Sequence, residues 1–431
     1  MPSWATTLAV TCAFLAATSA SAAPEPPPLA EGQAWQGSLD PNGGFRFALS
    51  RGSGAVLADF PDLGQAGYPA EVGRTGGVVV ATVDTPAGAL VLKGREDGRA
   101  FSGDWSFGEM KGRFTAATAK TRRRSYREQP VRFRSEGGPL LSGVVLTPDR
   151  PGRHPGFVGL HGSGAETRAG ANRFLAEHLA AKGAVVLLFD KRGSGESEGD
   201  WRTATLEDLA ADARAALEVL RGRMDVDAAR IGFLGASQAS WVAAIVAGGD
   251  PGVRFLLIRS GPLTTPAEEG REDYLRRIDR YPATARARAA RILELDDEVT
   301  RTGKGWDRLQ TEIAEAANED WFKAMDFRPL PPDHKARAAF RPWLDVDPRP
   351  LLEKSPAAAL WIYGEADETV PARESATIAS AMKAAGKDYR VVVIPGASHA
   401  LTRPPPQDAQ WPRLAPEYLP TVMEWFEQKV R

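Results

Sequence analysis

Phe45, Phe47 and Leu49 recur at every second position, with Arg46 and Ala48 between them. That is the period of a strand with one buried face. Val78 to Val83 is mostly β-branched. Glu96-Asp97-Gly98 separates the strand-like runs Leu90–Lys93 and Arg99–Trp105, as a hairpin turn would. Glycine is dense over residues 31–118 and no helical period is visible there. This predicts a small all-β domain, a sandwich or barrel. It holds no histidine, so it is assigned no chemistry. Trp35 and Trp105 read as core packing in preference to a sugar-stacking platform. Residues 119–130 read as a linker, with Arg122 to Arg124 as a solvated basic hinge.

The pattern changes at residue 131 and continues to 431. Val131–Phe133 and Leu141–Leu146 read as a hairpin. Apolar strands then alternate with amphipathic helices: Phe157–Leu160, a helix near 171–182, Ala184–Phe189, a helix near 205–222, Ile231–Leu234, a helix near 238–248 and Phe255–Ile258. Continuous apolar strands between helices predict a parallel sheet covered on both faces. The alternation resumes with Leu360–Tyr363, a helix near 372–385, Val391–Ile394 and a last helix near 417–429. The intervening residues 262–355, with helical runs near 268–295 and 305–325, carry no strand signal. An insertion there would sit over the strand C-termini, where ligands bind, so it is expected to be a helical cap.

The chain has 431 residues, of which 43% are hydrophobic and 25% charged, so it is globular in composition. Its formal net charge of -1 argues against a nucleic-acid partner, which would need clustered excess cations. One cysteine and five histidines exclude a cysteine-based metal site, a disulfide framework and an iron–sulfur cluster. Met1 to Ala22 contains no Asp, Glu, Lys or Arg. Leu8–Ala17 reads as an apolar signal segment, and Ala20-Ser21-Ala22 fits the small-x-small cleavage rule. Cleavage after Ala22 is expected, with a periplasmic or secreted location and no stable membrane insertion afterwards. Cys12 falls inside the removed segment.

The sharpest local signal is Ile231-Gly232-Phe233-Leu234-Gly235-Ala236-Ser237-Gln238-Ala239. An apolar strand ends and a helix begins with Ser237 at the corner. Such a nucleophile turn needs small residues two before and two after the serine. Gly235 and Ala239 supply them, alanine standing where glycine is usual.

A serine hydroxyl needs a base. His154 precedes a strand, His178 lies on an amphipathic helix as a surface or half-buried residue, and His334 reads as an exposed cap residue. His161 reads as a brace for its own loop. His399 follows the last strand, in Gly396-Ala397-Ser398-His399-Ala400, and is the candidate base. The acid that orients it is expected in Gly364-Glu365-Ala366-Asp367-Glu368-Thr369-Val370-Pro371. Asp367 is the choice; Glu365 and Glu368 are neighbours able to substitute in principle. The turn His161-Gly162-Ser163-Gly164 can direct a backbone N–H, on Ser163, at a developing oxyanion. The N–H of Gln238 is the expected second donor. Asp190-Lys191-Arg192-Gly193-Ser194-Gly195-Glu196-Ser197 is no dinucleotide fingerprint, because the third glycine would fall on Glu198. No phosphate-loop motif and no His-Glu-x-x-His zinc set occurs.

These five segments, in the chain order His161–Gly164, Asp190–Ser197, Gly235–Ala239, Gly364–Pro371 and Ser398–His399, make the chain from about 130 to 430 resemble the α/β-hydrolase superfamily. Among its branches the chain looks most like exported bacterial serine hydrolases related to serine aminopeptidases and cinnamoyl-type esterases. Members of that group often carry a small β-domain with W-x-G and G-x-W motifs, matched here by Trp35-Gln36-Gly37 and Gly103-Asp104-Trp105. The resemblance implies an α/β fold with a helical cap, an acyl-enzyme on Ser237, His399 as base then acid, Asp367 holding the histidine, and no cofactor or metal.

A carboxylic-ester hydrolase acting on a small-molecule substrate is the leading expectation. A peptidase with the same triad is the alternative. It would need an acidic pocket for a free amine, from Glu268, Glu269 or Asp273. A non-catalytic binding protein on the same fold is the third. In the cap, Trp306, Trp321, Phe322, Phe327 and Trp343 could line an acyl pocket; packing the cap is the reading preferred for most of them.

Overall fold

The computed structural model of the chain describes residues 28–40, 44–52, 54–121, 124–405 and 411–431. The proposed export segment, Met1–Ala22, lies outside the described residues, as do Arg122 and Arg123 of the linker. Among the described residues, no helix is long and apolar enough to cross a membrane.

Eight antiparallel strands close into a barrel: β1 (Gln33–Leu39), β2 (Arg46–Arg51), β3 (Val56–Phe60), β4 (Gln65–Thr75), β5 (Val78–Thr85), β6 (Gly88–Asp97), β7 (Ala100–Phe107) and β8 (Met110–Lys120). Phe45, Phe47 and Leu49 all point inward, as their period requires. Trp35, Phe101 and Phe114 fill the interior; the Trp35 and Phe101 rings lie 4.3 Å apart. Trp105 is buried too, its indole N–H donating to Asp40 at 3.0 Å. Both tryptophans are therefore core. The β6–β7 turn falls two residues later than expected. Asp97 still pairs with Ala100, and Gly98, at φ +58°, takes the tight corner.

The linker is shorter than residues 119–130, because β8 runs to Lys120 and β9 (Tyr126–Arg134) starts at Tyr126. Residues 126–130 pair along β10 (Leu140–Pro148) and belong to the second sheet. Charge hid the first half of this strand in the sequence: Arg127 and Glu128 look like linker. The other strands are β11 (His154–Leu160), β12 (Val185–Phe189), β13 (Val226–Ala236), β14 (Val253–Arg259), β15 (Ala358–Gly364) and β16 (Tyr389–Ile394). Their spatial order is β16-β15-β14-β13-β11-β12-β10-β9, with β10 antiparallel to both its neighbours, β12 and β9, and the other pairs parallel.

Helices α1 (Ala171–Lys182), α2 (Leu206–Arg221) and α3 (Ala239–Gly249) follow β11, β12 and β13. The insertion after β14 holds α4 (Pro266–Arg276), α5 (Ala283–Thr302), α6 (Trp306–Ala316), α7 (Asp320–Met325), α8 (Lys335–Phe340) and α9 (Pro348–Lys354). The run read near 268–295 is two helices. Pro282, which lacks an N–H, stands at the start of α5 and ends any continuation from α4. The cap has a hydrophobic cluster of its own, around Ile292, Leu309 and Met325. Helices α10 (Ala372–Ala384) and α11 (Tyr418–Lys429) complete the sheet's cover.

Strand β12 shows how the two faces form. Val185, Leu187 and Phe189 join one core with α2, α3 and α10; Val186 and Leu188 join the other with α1 and α11. Neighbours on a strand point oppositely, so a strand covered on both sides must be apolar throughout. The architecture is thus an α/β-hydrolase fold with a helical cap, preceded by an all-β barrel.

The barrel touches the catalytic domain at two places. Ala66 and Gly170 exchange backbone hydrogen bonds of 3.2 and 2.7 Å just before α1. Beside it, a two-strand hairpin, β17 (Thr402–Arg403) and β18 (Arg413–Leu414), follows His399, with Leu414 against Gly64. Trp411 leads into β18 and seats its ring against Phe45, 4.9 Å away, and Trp105, 5.8 Å away.

Candidate active site

Strand β13 ends at Ala236 and α3 begins at Ala239, leaving Ser237 and Gln238 as the whole turn. Ser237 has φ +56°, a conformation that costs a non-glycine residue about 1–3 kcal/mol. Its N–H is held by Arg259 O at 3.1 Å. The turn lifts Ser237 above the strand ends, where it stays partly exposed while the residues around it are buried.

Asp367 and His399 follow β15 and β16. The ring Nδ1–H of His399 donates to the Asp367 carboxylate, 3.0 Å from Oδ2 and 3.1 Å from Oδ1. That bond puts the proton on Nδ1 and leaves Nε2 as an acceptor. The carboxylate is fully shielded and also accepts the N–H groups of Thr369 and Val370, both at 2.9 Å. Ser260 Oγ donates to His399 O at 2.7 Å. Consecutive residues Arg259 and Ser260 therefore hold the Ser237 turn and the His399 loop together. No hydrogen bond joins Ser237 Oγ to His399 among the described residues. Glu365 and Glu368 serve backbone instead: Glu365 accepts Gly396 N–H at 3.0 Å and Glu368 accepts His399 N–H at 3.3 Å.

The turn after β11 brings Ser163 beside Gln238 at the wall of one cavity. Neither residue's N–H has a backbone acceptor among the described residues, so both are available to a ligand. Glu166 fixes the turn by accepting Gly162 N–H at 2.9 Å. His161 is buried and donates from Nε2 to Phe189 O at 2.7 Å. Burial, first, and the nearby Lys191 lower its pKa, which keeps it neutral, so it braces the loop. His154 begins β11 and bonds Arg150 O, and His178 bonds Phe174 O within α1. His334 is half-buried and caps α8 by accepting Ala336 N–H at 3.2 Å, so it is not the free exposed side chain expected.

Two residues went unread in the sequence. Lys191 is 2% exposed and donates to Gly162 O and to Gln238 Oε1, both at 2.7 Å. Arg276, on cap helix α4, reaches the acid loop and donates to the carbonyls of Val370 at 2.8 Å and of Glu368 and Thr369 at 3.0 Å. The rest of the Asp190 segment is a brace. Asp190 Oδ1 accepts Arg168 Nε at 3.0 Å, and Ser197 Oγ donates to Asp190 O at 2.7 Å.

Between the cap and the strand ends lies a cavity of about 540 Å³. Trp201, Tyr274, Phe327, Leu330, Phe340 and Trp343 form its apolar wall. Phe327 packs within the cap and Trp343 against the sheet domain's core, and both face the cavity, whereas Trp306, Trp321 and Phe322 pack within the cap alone. Of the three cap carboxylates considered for an amine, Glu268 caps α4 and pairs with Arg349, and Asp273 pairs with Arg277. The Glu269 carboxylate has no hydrogen-bond partner among the described residues. Burial, and then the charge of Asp367, push its pKa up to about 7.

Residues 113–400 match the family described as X-Pro dipeptidyl-peptidase (S15 family). The match takes in Ser163, Ser237, Asp367 and His399. An uncharacterized protein of Mycobacterium tuberculosis (strain H37Rv) is 37% identical over 158 residues, which are 35% of this chain and 54% of that protein. The chain therefore spans about half the length of the curated relative. Among solved structures, a Pyrococcus furiosus esterase is 17% identical with a TM-score of 0.47, covering 71% of this chain and 93% of that one. The Pyrococcus horikoshii acylaminoacyl peptidase is 14% identical with a TM-score of 0.48, covering 91% and 62%.

Proposed function

We propose that this chain, which belongs to the X-Pro dipeptidyl-peptidase (S15) family and is a serine hydrolase, cleaves carboxylic esters through an acyl-enzyme on Ser237. In this reading Ser237 Oγ attacks the ester carbonyl and its proton passes to His399 Nε2. The carbonyl oxygen becomes an oxyanion that accepts the N–H groups of Ser163 and Gln238. As the tetrahedral adduct collapses, the C–O bond to the leaving group breaks and His399 returns the proton to the departing alcohol. Water then repeats the sequence, giving its proton to His399 and releasing the acid, and Ser237 recovers its hydrogen. Asp367 holds Nδ1–H throughout and stabilises the transient imidazolium.

The observation that carries the ester reading is the charge on the cavity wall. Lys191, Arg202, Arg328 and Arg337 line it, against Asp296 as the single carboxylate among the described lining residues. Asp296 already pairs with Arg337. A free substrate amine would meet cations there, while a neutral apolar acyl group would meet aromatic rings. One observation favours the peptidase alternative: Glu269, beside Asp367, makes no ion pair among the described residues, feeling Arg276 only at longer range, and a substrate amine would supply one.

The test is intact-mass analysis with a fluorophosphonate probe on the wild type and Ser237→Ala, followed by p-nitrophenyl esters of graded chain length and aminoacyl p-nitroanilides. One adduct that disappears in Ser237→Ala, with ester turnover exceeding anilide turnover, is expected. Absence of the adduct on folded protein would overturn the nucleophile, and faster anilide turnover would replace esterase with peptidase. The proposal includes export: protein recovered from the periplasm or medium should begin at Ala23, which N-terminal mass measurement would show.

A further inference from the structure

Lys191 is out of place as an ordinary charged residue. Lysine is rarely buried without a carboxylate partner, because losing hydration destabilises an ammonium. Lys191 is 2% exposed, and among the described residues no carboxylate lies within ion-pairing distance of it. Both of its hydrogen bonds go to neutral oxygens, Gly162 O and Gln238 Oε1, each at 2.7 Å. Those two oxygens belong to the residue before one proposed oxyanion donor, Ser163, and to the residue that carries the other, Gln238.

We propose that Lys191 is a positioning residue for acyl transfer: its ammonium staples the Gly162–Ser163 turn to Gln238, fixes the spacing of the two oxyanion-binding N–H groups, and adds positive charge beside the oxyanion. This rests on the reading of Ser237 as nucleophile. Two separate loops, one after β11 and one after β13, must present their donors at one point, and among the described residues no backbone hydrogen bond joins them at Ser163 or Gln238. Lys191, arriving from β12, bridges them. An uncompensated cation in a shielded site also interacts strongly with a nearby negative charge, and its field is in place before the reaction begins.

The charged and titratable groups around Lys191 agree with that role. Glu166 is turned to Gly162 N–H, and Asp212 on α2 is taken by Arg192 at 2.7 Å. Asp190, its chain neighbour, is held by Arg168, and His161 is kept neutral by burial. Arg202 lies over the Trp201 ring, 4.8 Å from its centroid, and Lys191 also faces that ring. Burial lowers the Lys191 pKa to about 8, with Glu166 and Asp212 opposing the shift. The charge is therefore present below about pH 8 and lost as pH rises through it, and the two hydrogen bonds then lose their charge assistance.

The experiment measures kcat and KM for p-nitrophenyl butyrate from pH 6 to 10 in the wild type, Lys191→Met and Gln238→Glu. Thermal melting and fluorophosphonate labelling are run on each. The wild type should lose kcat with a midpoint near 8. Lys191→Met should lower kcat at pH 7 by about 10²-fold, with KM changed less than about threefold, and should lack the alkaline fall. Gln238→Glu places a carboxylate against the ammonium, so its alkaline fall should move up by about one pH unit or more. A merely structural lysine would not move the pH profile. Lys191→Met with near-wild-type kcat, or with the same alkaline fall, would overturn the proposal. If Lys191→Met does not fold, an unshifted profile in Gln238→Glu overturns it. Failure of the wild type to label at Ser237 would instead remove the underlying serine reading, an outcome distinct from a labelled wild type indifferent to Lys191.

Discussion

Gly235 and Ala239 share one small space at the Ser237 turn. A Cβ built on Gly235 would lie 2.6 Å from the Cβ of Ala239 and 3.0 Å from Leu160 O. The substitution of alanine for the usual glycine at 239 is therefore tolerated because 235 has no side chain. Gly235→Ala should overpack the strand–helix corner, cost about 1–3 kcal/mol in a urea melt and shift Ser237 out of line. Ala239→Gly should keep activity within about threefold and lose about 0.5–1 kcal/mol from helix entropy. Equal stability of Gly235→Ala and wild type would refute the shared-space account.

The Asp367 carboxylate accepts Nδ1–H of His399 and two backbone N–H groups at once. Asparagine can keep the backbone bonds through its amide oxygen, but its NH2 would face Nδ1. The proton would then move to Nε2, and the imidazole could no longer accept from serine. Asp367→Asn should keep its melting temperature within a few degrees and lower kcat by roughly 10³–10⁴-fold. A modest fall, under about tenfold, would show that Asp367 is not the orienting acid.

Much of this geometry was legible in the residues. A strand must be apolar on both faces to sit inside a parallel sheet, so β11 to β15 announce themselves. The Ser237 turn is marked by the small residues its crowding demands. Asp367 and His399 stand out because each follows an apolar strand by a few residues, and the structure joins their side chains. Lys191 was hidden by its type: lysine between Asp190 and Arg192 reads as a solvated charge, and only the crossing of β12 beside β11 buries it. The first half of β9, residues 126–130, was hidden by its charged outer face. The α4–α5 break was hidden by the helical period that continues through Pro282. The link between barrel and His399 loop was out of reach, since it depends on Trp411 meeting residues more than 300 positions away.

That link has a measurable consequence. The chain leaves His399, forms the β17–β18 hairpin, and is pinned to the barrel by Trp411. Ala415 N–H returns to Leu401 O at 2.8 Å, closing the loop that carries the histidine. Trp411→Ala should remove a half-buried aromatic anchor, cost about 2–4 kcal/mol and lower kcat about three- to tenfold with KM unchanged. A lower melting temperature with full kcat would show that the barrel supports stability alone.

Glu269 allows stability and specificity to be read from one substitution. Its pKa is raised from 4.5 to about 7 by burial, with Asp367 and Asp273 adding to the shift and Arg276 opposing it. A carboxyl group whose folded pKa is raised binds more protons in the native state than in the unfolded one between those two values. Stability therefore falls as pH rises through the window from about 4.5 to about 7, and the loss is complete above it. At ~1.4 kcal/mol per pH unit, the full penalty is at most about 3.5 kcal/mol. Glu269→Gln has no charge to desolvate. It should match wild type in urea midpoint at pH 5 and exceed it at pH 8; an equal difference at both pH values would rule out titration as the cause. Ester turnover should be preserved in the same variant. Should aminoacyl anilides be cleaved by wild type and lose turnover selectively in Glu269→Gln, the carboxylate is an amine anchor, and the enzyme's chemistry belongs with peptides.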